Sequence, residues 1–306
     1  MIKFRHLALI IIIVAALLLQ TACQAASKEG KPIISTSIYP YSLILKQIVQ
    51  DKADVYCIIP SFASPHTYSP LPEDIKIINQ SDLVFVNGLN LESQFDKIFE
   101  QVGEKLVQAA SYIPKAVLEY EFETKQKHEQ LINVEHSSSV NPHIWLHPEN
   151  IIDIARGFTH EISNIYPEEK EFFKQNLLEL ENDIKNTDRK IVKSKESIHL
   201  IKIISFHDSF YYFNLRYNIK SFGVIQKSPG QEPSPQDLKK ISDTIIREKV
   251  NLLVTEPQFN PKSAHLLAEE LKLKVVLLDP MGENIKAQKI SELLEYNWNS
   301  IIDGLR

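Results

Sequence analysis

The chain has 306 residues, of which 43% are hydrophobic and 24% charged, and these are the proportions of an ordinary globular protein. They exclude a disordered, collagenous or multi-pass membrane protein, and the length favours two lobes over a single core. Eight glycines are present, and they form no nucleotide-binding glycine motif. A net charge of -5 provides no electrostatic surface for nucleic acid, so no nucleic-acid partner is expected, and two cysteines are too few for a thiolate metal site.

The N-terminus has the features of an export signal. Lys3 and Arg5 precede an unbroken apolar run from Leu7 to Leu19. This run of 13 residues is shorter than the roughly 20 residues that a transmembrane helix needs. Residues 1–22 are therefore predicted to be a signal peptide.

A lipid anchor is predicted directly after this signal. Small residues precede Cys23, and the segment resembles the lipobox of bacterial lipoproteins, although Gln20 stands where Leu is usual. We expect Cys23 to be lipidated and residues 23–31, which are polar and small, to form a tether. Secretory cleavage after Ala22 or Ala26 is the alternative.

Short runs rich in Ile and Val then alternate with longer segments of helical period, which is typical of βα units around a mainly parallel sheet. The N-terminal lobe is predicted to span 32–166. Its predicted elements are strand 33–38, helix 41–50, strand 55–59, helix 71–81, strand 83–86, helix 91–109 and strand 116–120. The polar segment 121–140 is predicted to be an exposed loop.

A connecting helix and a second lobe complete the predicted α/β fold. The stretch 167–198 contains no Gly or Pro after Pro167 and has apolar residues at helical spacing, which predicts one long helix joining the lobes. The C-terminal lobe is predicted to span 199–306. Its predicted elements are strand 200–206, helix 208–217, strand 221–225, helix 235–249, strand 252–255, helix 261–271, strand 275–278 and helix 284–303.

Three of the ten histidines have unusual neighbours: His66 in SPHTY, His143 in NPHIW and His207 in SFHDS. Two of them lie just beyond the C-terminal end of a predicted strand, and Asp279 has the same position after the last strand. Ligand crevices in open α/β sheets lie at such strand ends, so these side chains can converge. Three imidazoles and one carboxylate suit a divalent ion of the zinc type, although each His taken alone can equally be structural or exposed.

Six segments resemble, in their order and spacing, the metal-binding subunits of bacterial ABC transporters for zinc and manganese. They are SPHTYSPLPEDIKIINQSDLVFVNGLNLE, NPHIWLHP, FHDSFYYFNLRY, EPSPQDLKKI, VTEPQFN and VVLLDPMG. The resemblance covers about residues 31–306 and implies two βα lobes joined by one long helix, with the metal buried in the cleft between them. Carried over position by position, the ligands of this family fall on His66, His143, His207 and Asp279.

The resemblance also implies a function. It predicts a non-enzymatic, extracytoplasmic monomer, lipid-anchored to the bacterial cell membrane or periplasmic, that captures a divalent ion and delivers it to an ABC permease. The imidazole of His207 favours Zn²⁺, because manganese-type members have Glu at that position. Mn²⁺ or Fe²⁺ is the alternative cargo. A metal-dependent hydrolase or a surface adhesin is the alternative from a different class, but the sequence has neither an H-E-x-x-H motif nor repeats.

Several positions depart from the family pattern or permit two interpretations. Asn141 and His147 stand where the family usually has Asp, and Asn can still accept a hydrogen bond and orient His143. We expect His147 to lie outside the ligand set. Asp208 is expected to cap the helix that follows it. Glu256 is expected to have a polar structural role.

Overall fold

The computed structural model describes residues 31–118, 140–198, 200–226, 230–259 and 262–306. The predicted signal peptide, Cys23 and nearly all of the predicted loop 121–140 lie outside these residues. Residues Ile33–Arg306 group together as one unit. Among the described residues, no helix combines the length and the hydropathy that crossing a membrane requires.

A parallel sheet forms the centre of the N-terminal lobe. Its strand order is β2-β1-β3-β4 within the described residues. The strands are β1 (Ile33–Thr36), β2 (Asp54–Cys57), β3 (Leu83–Val86) and β4 (Leu106–Gln108), and the helices are α1 (Tyr39–Val49), α2 (Pro72–Gln80), α3 (Asp96–Val102) and α4 (Pro148–Ile165). β3 is an apolar run that is buried along its whole length, as expected for a strand that is covered on both faces.

The C-terminal lobe repeats this arrangement, with the strand order β6-β5-β7-β8. Its strands are β5 (Lys202–Ser205), β6 (Lys220–Val224), β7 (Leu252–Thr255) and β8 (Lys274–Leu277), and its helices are α6 (Tyr211–Arg216), α7 (Pro235–Glu248), α8 (Lys262–Leu271) and α9 (Ile290–Leu305). In each sheet the strand order reverses beside the first strand. The fold therefore has two topological switch points, and loops beyond the carboxyl ends of the strands meet there.

One long helix, α5 (Lys170–Glu196), joins the two lobes, as predicted. Its 27 residues span about 40 Å, and a short 3₁₀ turn at Pro167–Glu169 precedes it. Asn176 on this helix donates to Ile48 O at 2.8 Å, and Ser194 Oγ accepts from Trp298 Nε1 at 3.1 Å. One hydrophobic cluster contains apolar residues of α1, α4, α5 and α9. The two lobes consequently share a core, while the predicted boundaries between them stay predictions.

Two predicted elements of the N-terminal lobe are wrong. The helix predicted at 91–109 is much shorter, because α3 ends at Val102 and Gly103 turns the chain with a φ of 65° before β4 begins. The strand predicted at 116–120 is not formed, since residues 115–118 are helical and β4 pairs with β3 instead.

The helix α4 was not predicted, although its signals are present in the sequence. Pro148 occupies its first turn, and Ile151, Ile154 and Phe158 are buried at helical spacing. The motif that contains His143 lies just before this helix. The helical periodicity of 148–165 would therefore have predicted this helix.

A buried carboxyl group ties the end of β1 to the end of β3. Glu92 is 3% exposed, and its Oε1 accepts from Ser37 Oγ at 2.5 Å and from Asn87 N at 2.7 Å. Burial raises the pKa of Glu92 to about 7, although these hydrogen bonds lower it in part. Between the ordinary carboxyl pKa and about pH 7, Glu92 is therefore protonated in the folded protein but ionised in the unfolded chain.

We expect this group to make the protein less stable as the pH rises. A folded-state pKa that is raised contributes stability below the ordinary carboxyl pKa and loses it as the pH rises through about 7. Glu92→Gln removes this titration, so its free energy of unfolding, measured by urea denaturation, should fall less than that of the wild type between about pH 5 and about pH 7.5. Glu104→Gln, at an exposed position, is the control. An unchanged pH dependence in Glu92→Gln contradicts the prediction.

Candidate metal site

His66 lies in the loop between β2 and α2. Ser64 O accepts hydrogen bonds from Thr67 N at 3.1 Å and from Tyr68 N at 3.0 Å, and these bonds close a turn around His66. Burial lowers the pKa of His66 to about 4. The ring is therefore neutral at physiological pH, which is the form that binds a metal ion.

His143 directly precedes a 3₁₀ turn, Ile144–Leu146, and is 4% exposed. Asn141 Oδ1 accepts from the backbone N of His143 at 3.0 Å and lies 2.9 Å from its Nδ1. An amide oxygen only accepts hydrogen bonds, so Nδ1 of His143 carries the proton in the neutral ring. The Nε2 of His143 then has a lone pair for a ligand.

His207 and Asp279 follow strands of the C-terminal lobe by two residues each, β5 and β8 respectively. His207 is 7% exposed and Asp279 is 1% exposed. Asp279 Oδ1 accepts from Met281 N at 2.9 Å and from Gly282 N at 3.0 Å. Its Oδ2 is buried and accepts no hydrogen bond from any residue that the structure describes. One carboxylate oxygen is thus fixed by the backbone, and the other is left to a different partner.

The structure brings three of the four predicted ligands together. The ligand nitrogens of His66, His143 and His207 all lie within 4.8 Å of one another, and the ring centroids are 5.1 to 5.2 Å apart. Nε2 of His66 and Nε2 of His143 are 3.3 Å apart. Two imidazoles that hold one ion tetrahedrally at about 2.05 Å have their nitrogens about 3.3 Å apart. This pair already has the separation of two zinc ligands.

Asp279 is not part of this close group. The next two residues, Pro280 and Met281, line the cavity that the three imidazoles border. Trp145 Nε1 donates to Pro280 O at 2.8 Å and so attaches this segment to the N-terminal lobe. Asp279 itself does not line this cavity, but the two residues that directly follow it do.

The cavity suits a very small ligand. Its volume is about 10 Å³, which is about the room that one water molecule needs. The aromatic rings of Trp145 and Phe259 lie 5.2 Å from those of His143 and His207, respectively. A cavity of this volume, bordered by aromatic rings, has room for a single small ligand such as an ion.

Two polar residues support the site: Glu256, for which a polar role was expected, and Asn297, which the sequence did not indicate. Glu256 lines the cavity, accepts from Ser209 Oγ at 2.6 Å, and has its pKa raised to about 8 by burial. Asn297, on α9, accepts from Asp279 N and donates to Asp279 O, both at 2.8 Å. Glu256 directly follows a predicted strand, as the predicted ligands His207 and Asp279 do, and this position was the available signal. Asn297 has no such signal, because it stands in the middle of an ordinary helix.

His147 and Asp208, the two other residues that the sequence analysis singled out, have roles outside the group of imidazoles. His147 lies outside the imidazole group, as expected, and its Nδ1 caps α4 by accepting from Glu149 N at 3.2 Å. The prediction that Asp208 caps a helix is wrong, because α6 begins at Tyr211 without a side-chain cap. Asp208 instead accepts from Asn141 Nδ2. Its side chain therefore faces the other lobe.

Comparison with known proteins agrees with this geometry. Residues 34–304 match the family described as "ZnuA: Zinc-uptake complex component A periplasmic". The chain belongs to this family. The predicted resemblance to metal-binding subunits of ABC transporters is thereby confirmed.

Relatives with named cargo include carriers of both metals. The chain is 27% identical to the high-affinity zinc uptake system protein ZnuA of Bacillus subtilis, over 96% of each chain. It is 25% identical to the manganese ABC transporter substrate-binding lipoprotein PsaA of Streptococcus mitis, over 98% of this chain and 99% of the relative. The structure of the periplasmic zinc binding protein TroA from Treponema pallidum has the same fold, with a TM-score of 0.78 at 19% identity, over 90% of this chain and 99% of TroA. The chain is a metal-binding substrate-binding protein of an ABC transporter.

The loop that carries His66 is also attached to the C-terminal lobe. Glu283 Oε2 accepts from Ser61 N at 3.3 Å and from Ser61 Oγ. Gln258 Nε2 donates to Ser61 O at 2.7 Å. All the hydrogen-bonding groups of Ser61 thus contact the other lobe, and we call these contacts the Ser61 clasp.

Breaking this clasp should loosen the loop. We expect amide hydrogen exchange of residues 60–66 in the metal-free protein to become about fivefold faster in Glu283→Ala, as for the loss of one typical hydrogen bond. Mass spectrometry of the exchanged peptides measures this change. Glu295→Ala, at an exposed position on α9, is the matched control, and equal exchange in Glu283→Ala and the wild type contradicts the prediction.

Proposed function

We propose that this protein captures Zn²⁺ outside the cytoplasm and delivers it to an ABC permease. The ligands in this proposal are His66, His143, His207 and Asp279. The observation that carries it is the meeting of three buried or half-buried imidazoles from two lobes, with two of their nitrogens 3.3 Å apart. Without an ion, this pair can share one N–H···N hydrogen bond, and the same separation suits two nitrogen ligands of one ion.

Asp279 is proposed as the fourth ligand through its Oδ2. That oxygen is buried, and an unsatisfied buried carboxylate oxygen is costly without a cation or donor nearby. A carboxylate beside three neutral imidazoles also reduces the net charge that the protein must bury with a divalent ion. Oδ1 is held by two backbone N–H groups, so Oδ2 is the oxygen that this proposal assigns to the ion.

Zinc is proposed as the cargo because three of the four ligands are imidazoles. Nitrogen donors suit Zn²⁺, whereas Mn²⁺ prefers a larger share of oxygen donors. Mn²⁺ is the second candidate, with Fe²⁺ as a further alternative, since the named relatives include a manganese carrier of similar identity. His207 is the residue at which these alternatives differ.

We further propose that the protein is a carrier without catalytic activity, anchored as a monomer by lipid on Cys23. Support comes from residues 1–22, which resemble a signal peptide, and from the relative PsaA, which is named a lipoprotein. A cavity with room for one ion also favours transport of that ion over chemistry on a larger substrate.

Removing one ligand should weaken zinc binding sharply. For His66→Ala and for His207→Ala we expect a loss larger than the roughly 10- to 100-fold that follows removal of an outer-shell partner. Competition of the metal-free protein with a chromophoric chelator measures the affinity. His160→Ala and His265→Ala, which alter exposed histidines, should bind as the wild type does. Unchanged affinity in both ligand variants refutes the proposed site.

Exchanging the nitrogen donor at position 207 for oxygen should alter the choice of metal. In His207→Glu we expect the ratio of Zn²⁺ affinity to Mn²⁺ affinity to fall by about tenfold or more, because a carboxylate suits Mn²⁺ better. Calorimetric titration with each ion separately gives the two affinities. His160→Glu supplies the control for added charge, and a ratio equal to that of the wild type shows that position 207 does not set selectivity.

A further inference from the structure

Asn141 is hydrogen-bonded to both lobes at once. It lies in the N-terminal lobe and is 3% exposed, and its Oδ1 contacts the backbone N and the Nδ1 of His143. Its Nδ2 donates to Asp208 O at 2.7 Å and to Asp208 Oδ2 at 3.2 Å. Its own carbonyl accepts from Tyr212 OH at 3.0 Å. Asp208 directly follows His207, so Asn141 connects the segments that carry two of the proposed ligands.

The chemistry of its neighbours fixes the direction of the Asn141 amide. A backbone N–H can only donate, so the group that faces His143 N must be the amide oxygen. A backbone carbonyl and an ionised carboxylate can only accept, so the group that faces Asp208 must be the NH₂. Only an amide, with an acceptor on one side and donors on the other, satisfies both neighbours.

We propose that Asn141 is a positioning residue that couples the His143 ligand to the His207 segment across the cleft. This inference rests on the proposed metal site. The amide oxygen holds His143 with its proton on Nδ1 and its Nε2 lone pair directed towards His66. The NH₂ group holds the backbone next to His207 against the N-terminal lobe. Capture of the ion and contact between the lobes therefore depend on the same side chain.

The inference explains why Asn, and not Asp, stands before His143 in this chain. An Asp at position 141 keeps the two contacts with His143. Its second oxygen, however, faces Asp208 O and Asp208 Oδ2 at hydrogen-bond distance with no proton between them. Two carboxylates this close in a partly buried place repel each other, and a carboxylate facing a carbonyl oxygen has no donor to bind. The residues at 141 and 208 are consequently a matched pair, and a carboxylate placed at 141 while Asp208 is kept pushes the lobes apart at the site.

A swap of the pair tests this coupling. The full-length wild type, Asn141→Asp, Asp208→Asn and the double variant are compared with Zn²⁺ alone as the probe. Chelator competition gives the affinity, and stopped-flow transfer to excess chelator gives the release rate. Thermal unfolding of the metal-free proteins separates effects on the site from effects on the fold.

We expect Asn141→Asp to weaken zinc binding by about tenfold or more, mainly through faster release. Asp208→Asn should stay near the wild type, because the oxygen of its amide still accepts from Asn141. The double variant should regain part of the loss, since Asn at 208 can donate to Asp at 141, while the contact with the carbonyl of residue 208 stays unfavourable. Such non-additivity identifies a direct pair and is not produced by an independent structural defect.

Two results overturn the inference: wild-type binding in Asn141→Asp, or a double variant no better than Asn141→Asp. If Asn141→Asp does not fold, Tyr212→Phe serves as the second variant, because it removes only the donor to the Asn141 carbonyl. It should accelerate zinc release by about fivefold, and an unchanged rate overturns the inference. His66→Ala measured in parallel keeps the two proposals distinct: wild-type affinity there refutes the site itself, whereas a loss there beside an unaffected Asn141→Asp refutes only the coupling.

Discussion

The shared hydrophobic core is the constraint on which the candidate site depends. His66 and His143 belong to one lobe and His207 to the other, yet their nitrogens lie within 4.8 Å of one another. Metal coordination tolerates errors of only a few tenths of an ångström in ligand position. Flexible loops alone cannot supply that precision between two lobes. The packing of α5 with helices of both lobes supplies it, because one continuous core fixes where each strand end points.

The same kind of hydrogen bond, between a buried carboxyl group and a serine, is present near the cleft in both lobes. In each, a buried carboxyl group near the switch point accepts from a serine that follows the first strand of the sheet, with Glu92 and Ser37 in one lobe and Glu256 and Ser209 in the other. Burial raises the pKa of both carboxyl groups, to about 7 and about 8. Each carboxyl group therefore keeps its proton to a higher pH than an exposed one, and while it does so it adds hydrogen bonds without adding negative charge to the cleft.

Much of this arrangement could be predicted from the sequence, because it depends on local patterns. Buried parallel strands are short apolar runs, and the candidate ligands stand out because they follow such runs or have unusual neighbours. The strand predictions were wrong where pairing with a neighbouring strand decides whether a strand forms. The strand at 106–108 has three residues and is defined by its contact with β3, whereas the longer apolar run at 116–120 has no such partner among the described residues. Periodicity alone cannot choose between them.

A hydrogen bond between residues that are distant in the chain is even harder to predict from a sequence than strand pairing. Asn141 was expected to orient His143, and the amide oxygen does contact that ring. The other half of the amide has a role only because Asp208, 67 residues away, lies opposite it. Asp208 was in turn expected to cap its own helix, which is the local role that its position suggests. In the folded protein the carbonyl and the carboxylate of Asp208 both accept from the Asn141 NH₂ group of the opposite lobe. A departure from the family pattern at one position is therefore best understood together with the residue that faces it.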